Sequence, residues 1–142
     1  MPSPPEGFIS YRGTSPYLDL IGPIYESAEG AMVVGVWLEN KHCNARGFVH
    51  GGLLVALADT VLGHTIVRSD PEERSIVTVS LTTDFVSSAR SGEWLQGSAE
   101  VKRRGSRLSF ADATFFVADR LVLTASGIFA GQPASPDAIS KA

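Results

Sequence analysis

The sequence predicts an α+β domain in which a curved antiparallel sheet wraps around one long central helix. Residues 51–67 form a single apolar segment that exceeds the length of a strand, which favours a helix. After residue 75 the hydrophobic residues recur with a period of two in several successive segments, as in antiparallel strands. A helix that is apolar around most of its circumference needs cover on several sides. A curved sheet covers most of it, and a second subunit could cover the rest.

The composition is that of one ordinary globular domain. The chain has 142 residues, 44% of them hydrophobic and 19% charged, with a formal net charge of −3. The negative net charge gives no sign of the basic surface that nucleic-acid-binding proteins carry. The single cysteine excludes an internal disulfide and fits a reducing compartment. The N-terminus has no signal-peptide pattern, and the apolar run 53–67 is shorter than the roughly 20 residues that span a bilayer. We therefore expect a cytoplasmic protein that binds neither nucleic acid nor a membrane.

The first elements surround the loop that leads into the long helix. Residues 1–16 contain four prolines and are predicted to form an irregular arm. Residues 17–22 predict a short helix that is closed by a glycine and a proline. Residues 31–39 are rich in β-branched side chains and predict a strand. The side chains expected on one face of that strand are Met32, Val34, Val36 and Leu38.

The second half predicts the rest of the sheet. In residues 75–86, Val77, Val79, Leu81 and Phe85 alternate with Thr78, Ser80, Thr82 and Asp84. A further strand is predicted over 94–103, and a hairpin joins 107–117 to 121–130 through 118–120. The polar tail after Gly131 contains two prolines. The predicted domain therefore spans 17–131, followed by a flexible tail over 132–142.

One carboxylate, Asp59, lies in the middle of the apolar helix. Gly52, Ala56, Asp59 and Gly63 fall on one helical stripe, whose small residues let another backbone or a ligand approach closely. Two interpretations stay open for Asp59. It is either part of a helix-packing seam, paired with a neighbouring hydroxyl or arginine, or a catalytic group, because a buried charge is costly unless it is paired or used.

The residues before the helix bear on that choice. The first backbone N–H groups of a helix have no intrahelical partner and carry partial positive charge. At Gly51 they are suited to a carbonyl oxygen that becomes negative during acyl transfer. Asp59 follows Gly51 by about 12 Å of helical rise. A two-fold dimer with antiparallel helices could therefore place Asp59 of one subunit near Gly51 of the other.

The segment NARGFVHGGLLVALADT (44–60) resembles the motif N-x-x-G-x-x-H-G-G, with an aspartate eight residues after its first HGG glycine, of PaaI-like hotdog-fold acyl-CoA thioesterases in the 4-hydroxybenzoyl-CoA thioesterase superfamily. The matching positions are Asn44, Gly47, His50, Gly51, Gly52 and Asp59. The resemblance implies a hotdog fold, dimers that pair into homotetramers, and hydrolysis of an acyl-CoA without metal or cofactor, since CoA is part of the substrate.

The same resemblance implies roles for single residues. Asp59 corresponds to the nucleophile or general base, and Gly51 to the backbone oxyanion donor. Asn44 and His50 correspond to residues that orient the thioester or the attacking water, although a histidine before a helix can also simply hydrogen-bond the loop. Thr78 corresponds to a Ser or Thr near that water, and the sequence leaves its direction open.

The remaining histidines and the cysteine are given no catalytic role. His64 is interpreted as a core or interface residue of the helix. His42 and Cys43 are interpreted as loop residues. One cysteine and three histidines without HExxH or CxxC spacing do not predict a tetrahedral metal site, although acidic residues could still join a histidine.

A charged turn, VKRRGSRLS (101–109), gathers four of the 12 lysines and arginines of this acidic chain. A charge run is usually a solvated hairpin, but arginines bind the phosphates of CoA well. In PaaI-like relatives this turn and the segment that matches 85–90 contact CoA. The candidate CoA contacts implied by the resemblance are Phe85, Ser87, Ser88, Arg90, Arg103, Arg104, Gly105, Ser106 and Arg107.

Two other classes of hotdog protein are weighed against hydrolysis. Hydratases and dehydratases use a His–Asp/Glu pair in motifs that this chain lacks. A non-catalytic acyl-CoA sensor keeps the fold and loses the carboxylate, which is present here as Asp59. We therefore expect a thioesterase that releases a free acid and CoA. The acyl group is not specified by the sequence, because apolar residues of two subunits build its pocket.

Overall fold

The structure, a computed structural model, describes residues 2–72 and 74–132. Seven strands form one antiparallel sheet in the order β1-β2-β3-β5-β6-β7-β4. The elements along the chain are β1 (Phe8–Ser10), α1 (Pro16–Ile21), β2 (Tyr25–Ser27), β3 (Val33–Trp37), a short 3-10 helix (Asn40–His42), α2 (Gly51–Ser69), β4 (Ile76–Phe85), β5 (Trp94–Arg104), β6 (Leu108–Val117) and β7 (Arg120–Gly131). The predicted α+β architecture is confirmed. Of the predicted tail, residues 133–142 lie outside the described residues.

Helix α2 is the centre of the core. It packs against β3, β4, β5, β6 and β7, so the sheet curves around it. Its buried residues are Leu53, Leu54, Leu57, Ala58, Val61, Leu62 and Ile66. Each large side chain buried in this way stabilises the fold by about 1.5–3 kcal/mol. By length and composition this helix could cross a membrane, so the argument that the segment is too short is wrong. In the structure it is the core helix of the domain.

Strand β3 and the β6–β7 hairpin confirm the patterns expected for them. Met32, Val34, Val36 and Leu38 are all buried on one face. The hairpin strands β6 and β7 pair from Leu108↔Ala130 to Val117↔Arg120. The alternation of residues predicts these strands correctly because one face of each strand packs on α2.

Strand β4 departs from the predicted alternation. Its register against β7 shifts between Thr78 and Ser80, which is a β-bulge around Val79. Val77 and Val79 are 49% and 56% exposed, whereas Leu81 packs against the core, so the predicted alternation that groups these three residues on one face is wrong. A bulge adds one residue and puts the two halves of a strand out of phase. Thr78 pairs with the buried Phe129, and its hydroxyl reaches Asp59 on α2.

The N-terminal segment is more ordered than the irregular arm that its prolines predicted. Residues 8–10 form β1, which pairs with β2 from Phe8↔Ser27 to Ser10↔Tyr25. Proline fixes φ and removes a donor, but these residues lie after the Pro4-Pro5 pair and keep their N–H groups. The chain then turns inward, and Tyr11 is buried in the core. The arm therefore brings a side chain into the domain.

A buried carboxylate ties that arm to α2. Glu26 on β2 is completely buried and accepts hydrogen bonds from Arg12 Nη2 at 2.6 Å and Arg68 Nη2 at 2.9 Å. Burial raises the pKa of Glu26, but the hydrogen bonds from Arg12 and Arg68 outweigh it and lower the pKa to about 2. Since Arg12 follows β1 and Arg68 lies in the last turn of α2, the ion pairs hold the arm against the helix.

Candidate active site

Asp59 and Thr78 meet between α2 and β4. Thr78 Oγ1 donates a hydrogen bond of 2.7 Å to Asp59 Oδ1. The direction of Thr78, which the sequence left open, is therefore toward the carboxylate. The bulge at Val79 is the physical reason, because it places Thr78 on the inward side of a strand whose flanking valines point outward. No other hydrogen bond to Asp59 is formed within residues 2–72 and 74–132, so its second oxygen is available to a ligand.

A cavity of ≈ 350 Å³ opens beside this pair. Its lining residues are Tyr11, Asp59, Thr60, Gly63, His64, Val67, Ile76, Thr78 and Phe129. A Cβ at Gly63 would lie 3.5 Å from Phe129 and 3.6 Å from Ile76, which is ordinary contact. Of the predicted small-residue stripe, Asp59 and Gly63 line this cavity.

The start of α2 presents a backbone donor. His50 is the N-cap, and its Nδ1 accepts a hydrogen bond of 2.8 Å from the N–H of Gly52. Gly51 N–H has no acceptor among the described residues. The Phe85 ring lies so close that a Cβ at Gly51 would be 3.2 Å from it. The absence of a Cβ therefore lets the Phe85 ring pack closely on Gly51, and the free N–H can donate to an oxygen that gains negative charge.

Asn44 and His50 both serve the loop that precedes α2. Asn44 Oδ1 accepts hydrogen bonds from the N–H groups of Arg46 at 2.9 Å and Phe48 at 3.2 Å. The simpler alternative for His50, a hydrogen bond to nearby backbone, is the contact observed. Their predicted role in orienting the thioester stays a prediction. The contacts show how they shape the backbone around Gly51.

His42 and Tyr11 were given no role from the sequence, but both are structural. His42 is buried, and its Nε2 lies 2.6 Å from the carbonyl oxygen of Ile21, which ties the loop to α1. Tyr11 reaches the Asp59 cavity from the N-terminal arm. No periodic pattern marks Tyr11, because one short strand and a long-range ion pair position it.

The candidate CoA contacts fall at opposite ends of α2. Phe85 lies beside Gly51 at the N-terminal end, whereas Arg104 donates a 3.2 Å hydrogen bond to the carbonyl oxygen of Ile66 and also contacts Ser69. Residues 51 and 66 of one helix are about 22 Å apart. Likewise Gly51 and Asp59 are about 12 Å apart along the axis. Within one subunit, therefore, the two groups of CoA candidates lie far apart, and so do Gly51 and Asp59.

The individual CoA candidates differ in how free their side chains are. The Arg104 guanidinium is hydrogen-bonded to the C-terminal end of α2. Ser87 Oγ donates a hydrogen bond of 2.6 Å to the carbonyl oxygen of Leu121. Arg90 lies over the Phe48 ring at 4.9 Å. The exposed members of the set are Phe85, Ser88, Arg90, Arg103, Ser106 and Arg107. Arg103 and Lys102 also line a groove of ≈ 480 Å³ with Asp112 and Ser126.

A sheet wrapped around one long helix, with a carboxylate in mid-helix and a glycine pair at its start, defines the class of hotdog-fold proteins. The model of the family described as Thioesterase superfamily matches residues 46–124. A Pseudomonas aeruginosa protein named "Putative esterase PA0474" is 42% identical over 127 residues, which are 88% of this chain and 95% of that protein. The chain belongs to the thioesterase superfamily.

More distant proteins are similar to this chain in sequence or in structure. Human acyl-coenzyme A thioesterase 13 is 28% identical over 87 residues, 61% of each chain. The solved structure of conserved protein PA5202 from Pseudomonas aeruginosa has a TM-score of 0.77 and 26% identity, and covers 84% of this chain and 95% of that one. The Escherichia coli PaaI protein has a TM-score of 0.74 and 21% identity, covering 82% and 84%. The predicted hotdog fold and PaaI-like resemblance are confirmed.

Proposed function

We propose that this protein is an acyl-CoA thioesterase that releases a free acid and CoA. The observation that carries the proposal is the setting of Asp59: Thr78 donates a hydrogen bond to one of its oxygens, and its side chain lines a cavity. The helix that carries Asp59 lies within the residues that match the thioesterase family model. The family supplies the reaction class. The name of the human relative supports a CoA thioester as the substrate.

The proposed site is composite. The thioester carbonyl oxygen accepts a hydrogen bond from Gly51 N–H of one subunit, and Asp59 comes from the neighbouring subunit. Asp59 either attacks the carbonyl carbon or takes a proton from the attacking water. When Asp59 is the base, an oxygen of the attacking water replaces the sulfur on the carbonyl carbon. When Asp59 is the nucleophile, its oxygen replaces the sulfur first, and water then hydrolyses the acyl–Asp59 anhydride and frees the carboxylate. In both cases the carbon–sulfur bond breaks and CoA leaves as a thiolate, which takes up the proton that water releases. A thiolate leaves readily, so no strong general acid is needed.

The edge of the sheet supports the dimer. Strand β4 is the last strand and has an unpaired edge in one subunit. Val77, Val79, Phe85 and Val86 on and beside it are about half exposed. Such an apolar edge needs a partner. A two-fold partner at β4 would lay the two α2 helices side by side and antiparallel.

The same arrangement accounts for the scattered CoA candidates. With antiparallel helices, the turn at the C-terminal end of one α2 lies near the N-terminal end of the other. Arg103 and Arg107 of one subunit would then share a CoA molecule with Phe85 and Arg90 of its neighbour. We further propose that two dimers form a homotetramer, and that the enzyme acts in the cytoplasm without metal or cofactor.

Release of free thiol from a panel of aryl- and alkyl-acyl-CoAs, followed with a thiol-reactive dye, tests the function. Hydrolysis of at least one member with normal saturation is the expected result. Tight CoA binding by calorimetry together with no thiol release from any member would favour the non-catalytic sensor and overturn the proposal.

A further inference from the structure

We infer that His42 is a positioning residue for the oxyanion donor at Gly51. Its ring is buried and both ring nitrogens are bound to backbone groups, so it does not touch the reacting atoms. Its hydrogen bonds fix the base of the loop that leads into α2, and through that loop the direction of the Gly51 N–H. This inference rests on the proposed thioesterase function and adds a residue to the machinery of the same site.

The His42 ring makes two hydrogen bonds that are compatible with one tautomer. The N–H of Glu39 donates to Nδ1 at 2.9 Å, and Nε2 lies 2.6 Å from the carbonyl oxygen of Ile21. A backbone N–H can only donate and a carbonyl oxygen can only accept, so Nδ1 carries no proton and Nε2 carries one. The residue is 3% exposed. Both polar atoms of this buried ring are therefore satisfied, which holds the ring in one orientation.

The two partners of this ring belong to different parts of the fold. Glu39 follows Leu38, whose N–H donates to the carbonyl oxygen of Glu93 at 2.9 Å and whose own carbonyl oxygen accepts from Gly92 N–H at 2.7 Å. These bonds fix the chain after β3 to the residues that precede β5. Ile21 is the last residue of α1. The ring therefore joins α1 and the sheet to the short 3-10 helix before the loop.

The backbone of His42 is the base of the loop that carries the glycine motif. Its carbonyl oxygen accepts a hydrogen bond of 2.8 Å from the N–H of His50, so the two ends of segment 43–49 meet at this pair. His50 is the N-cap of α2, and Gly51 is the next residue. A displacement of His42 is therefore passed to Gly51 through one hydrogen bond and one residue.

The direction of the Gly51 N–H depends on this backbone because no bond within the described residues holds it. His50 Nδ1 accepts from the N–H of Gly52 at 2.8 Å, and the carbonyl oxygen of His50 accepts from the N–H of Leu53 at 3.0 Å. Both neighbouring donors are thus in use, and the Gly51 N–H is the one left for a ligand. A group misplaced by about 1 Å can cost about 10²-fold in rate. A residue that fixes the backbone at His50 therefore acts on catalysis.

The alternative is that His42 serves stability alone. In that case its replacement lowers the stability of the protein and leaves the kcat of the folded fraction unchanged. The positioning role predicts a lower kcat with little change in KM, because an oxyanion donor interacts more strongly with the transition state than with the bound substrate. The division between kcat and KM thus separates the two roles.

His42→Leu tests the inference, since leucine fills much of the same space and makes neither hydrogen bond. We expect kcat to fall roughly 10- to 100-fold, with KM within about threefold of native. His42→Asn keeps an acceptor for the N–H of Glu39, and His42→Gln keeps a donor that can reach the carbonyl oxygen of Ile21. Each of these amide variants should recover part of kcat, and they keep the inference testable if the leucine variant fails to fold.

Ser27→Ala is the matched control. Ser27 Oγ also accepts from a backbone N–H, that of Val33 at 3.0 Å, and donates to a carbonyl oxygen, that of Ala31 at 2.9 Å. The bonds join the end of β2 to the start of β3 and do not involve the loop before α2. This variant should lower the midpoint of urea unfolding and leave kcat within about twofold of native.

A double-mutant cycle with Gly51→Pro shows whether His42 acts through the Gly51 N–H, which proline removes. In the Gly51→Pro background, His42→Leu should lower kcat by less than about twofold, because the donor that it positions is already gone. A further loss of roughly tenfold or more there would show that His42 acts elsewhere and would overturn the inference. Native kcat in folded His42→Leu protein would overturn it as well, and would leave the thioesterase function intact.

Failure of the thioesterase proposal is recognised separately. If no acyl-CoA is hydrolysed by the native protein, that proposal fails, and the amide resonance of Gly51 then tests the positioning by itself. In protein made with isotope-labelled glycine, this resonance is the one missing from the Gly51→Pro spectrum. His42→Leu should shift it more than Ser27→Ala does, and an unmoved resonance would overturn the inference whatever the activity.

Discussion

Thr78 Oγ1 and Asp59 Oδ1 are 2.7 Å apart, and this contact joins the edge strand to the central helix. It exists because one extra residue at Val79 puts the two halves of β4 out of phase, so that the Thr78 hydroxyl faces α2. A hydroxyl that donates to a carboxylate fixes its orientation and leaves the other oxygen toward the cavity. The bulge is therefore part of the site.

Asp59→Asn should abolish most turnover and preserve the fold. The amide keeps the shape of the side chain but can neither attack a carbonyl nor accept a proton from water. We expect kcat to fall by about 10²-fold or more. Asp84→Asn, the same change at an exposed position of β4, is the control and should leave kcat within about twofold of native. An unfolded Asp59→Asn protein would support the packing-seam interpretation, and a fully active one would remove Asp59 from the chemistry.

Thr78→Val should impair the reaction less than loss of the carboxylate. Valine keeps the shape and removes only the hydrogen bond, which is worth about 1.5–3 kcal/mol when one partner is charged. The expected loss in kcat/KM is roughly 10- to 100-fold, and Thr78→Ser should restore most of it. Thr82→Val, on the outward side of the same strand, serves as the control. Equal activity of the valine and native proteins at position 78 would show that the bond is not used.

The sequence predicted what local patterns determine and missed what long-range pairing determines. The apolar run gave α2 to within two residues, and the motif located Gly51 and Asp59. The bulge at Val79 depends on the pairing with β7, so an alternating pattern within β4 could not show it. Tyr11 enters the cavity because Glu26 and its arginines hold the arm in place. Contacts between residues distant in sequence have no periodic signal.

Gly51→Pro should show that the oxyanion donor and Asp59 come from different subunits. Proline removes the N–H, is tolerated as the first helical residue, and follows His50, whose φ of −65° and ψ of 134° suit a residue before proline. Alone, Gly51→Pro should lose about 10²-fold in kcat. Mixed with Asp59→Asn subunits after exchange, it should regain about a quarter of native activity, because half of the dimers then hold one intact site.

Two further measurements control that experiment. Gly51→Ala keeps the N–H and adds only a methyl beside Phe85, so it should retain more activity than the proline variant. Sedimentation should report a dimer or larger. A monomer with full activity, or a mixture no better than its parts, contradicts the composite site.

Glu26→Gln should destabilise the protein strongly at neutral pH and weakly in acid. The pKa of Glu26 is lowered from 4.5 to about 2 in the folded protein, so ionisation stabilises the fold. That contribution is complete above about pH 4.5 and is lost as the pH falls toward about 2. Breaking a buried pair costs about 3–5 kcal/mol, so the free energy of unfolding should fall by about that much at pH 7.

Urea unfolding of both proteins between neutral pH and acid measures this difference, which should shrink as the pH falls. Glu93→Gln is the control, since the Glu93–Arg120 pair is exposed and should contribute less than about 1 kcal/mol. A constant difference between the native and Glu26→Gln proteins at every pH would mean that packing, and not charge, accounts for the role of Glu26.

The turn at 103–107 should divide into arginines that bind CoA and one that supports the helix. Arg103 and Arg107 are exposed and free to hold phosphates, so replacing each with alanine should raise KM roughly tenfold or more with little change in kcat. The difference in KM between the native protein and these variants should shrink at high salt, because exposed charges are screened over about 10 Å at 0.1 M. An acyl-pantetheine, which lacks the nucleotide phosphates, should not respond to either substitution.

Arg104→Ala should behave differently, because its guanidinium already donates to the carbonyl oxygen of Ile66 at 3.2 Å. Its removal leaves the carbonyl oxygen of Ile66, near the C-terminal end of α2, without this hydrogen bond. The free energy of unfolding should fall by about 1 kcal/mol. Arg120→Ala, at the other hairpin, is the matched control and should change neither KM nor stability appreciably. If Arg103→Ala and Arg107→Ala change KM equally for acyl-CoA and acyl-pantetheine, or for neither, the turn is a solvated hairpin and CoA phosphates bind elsewhere.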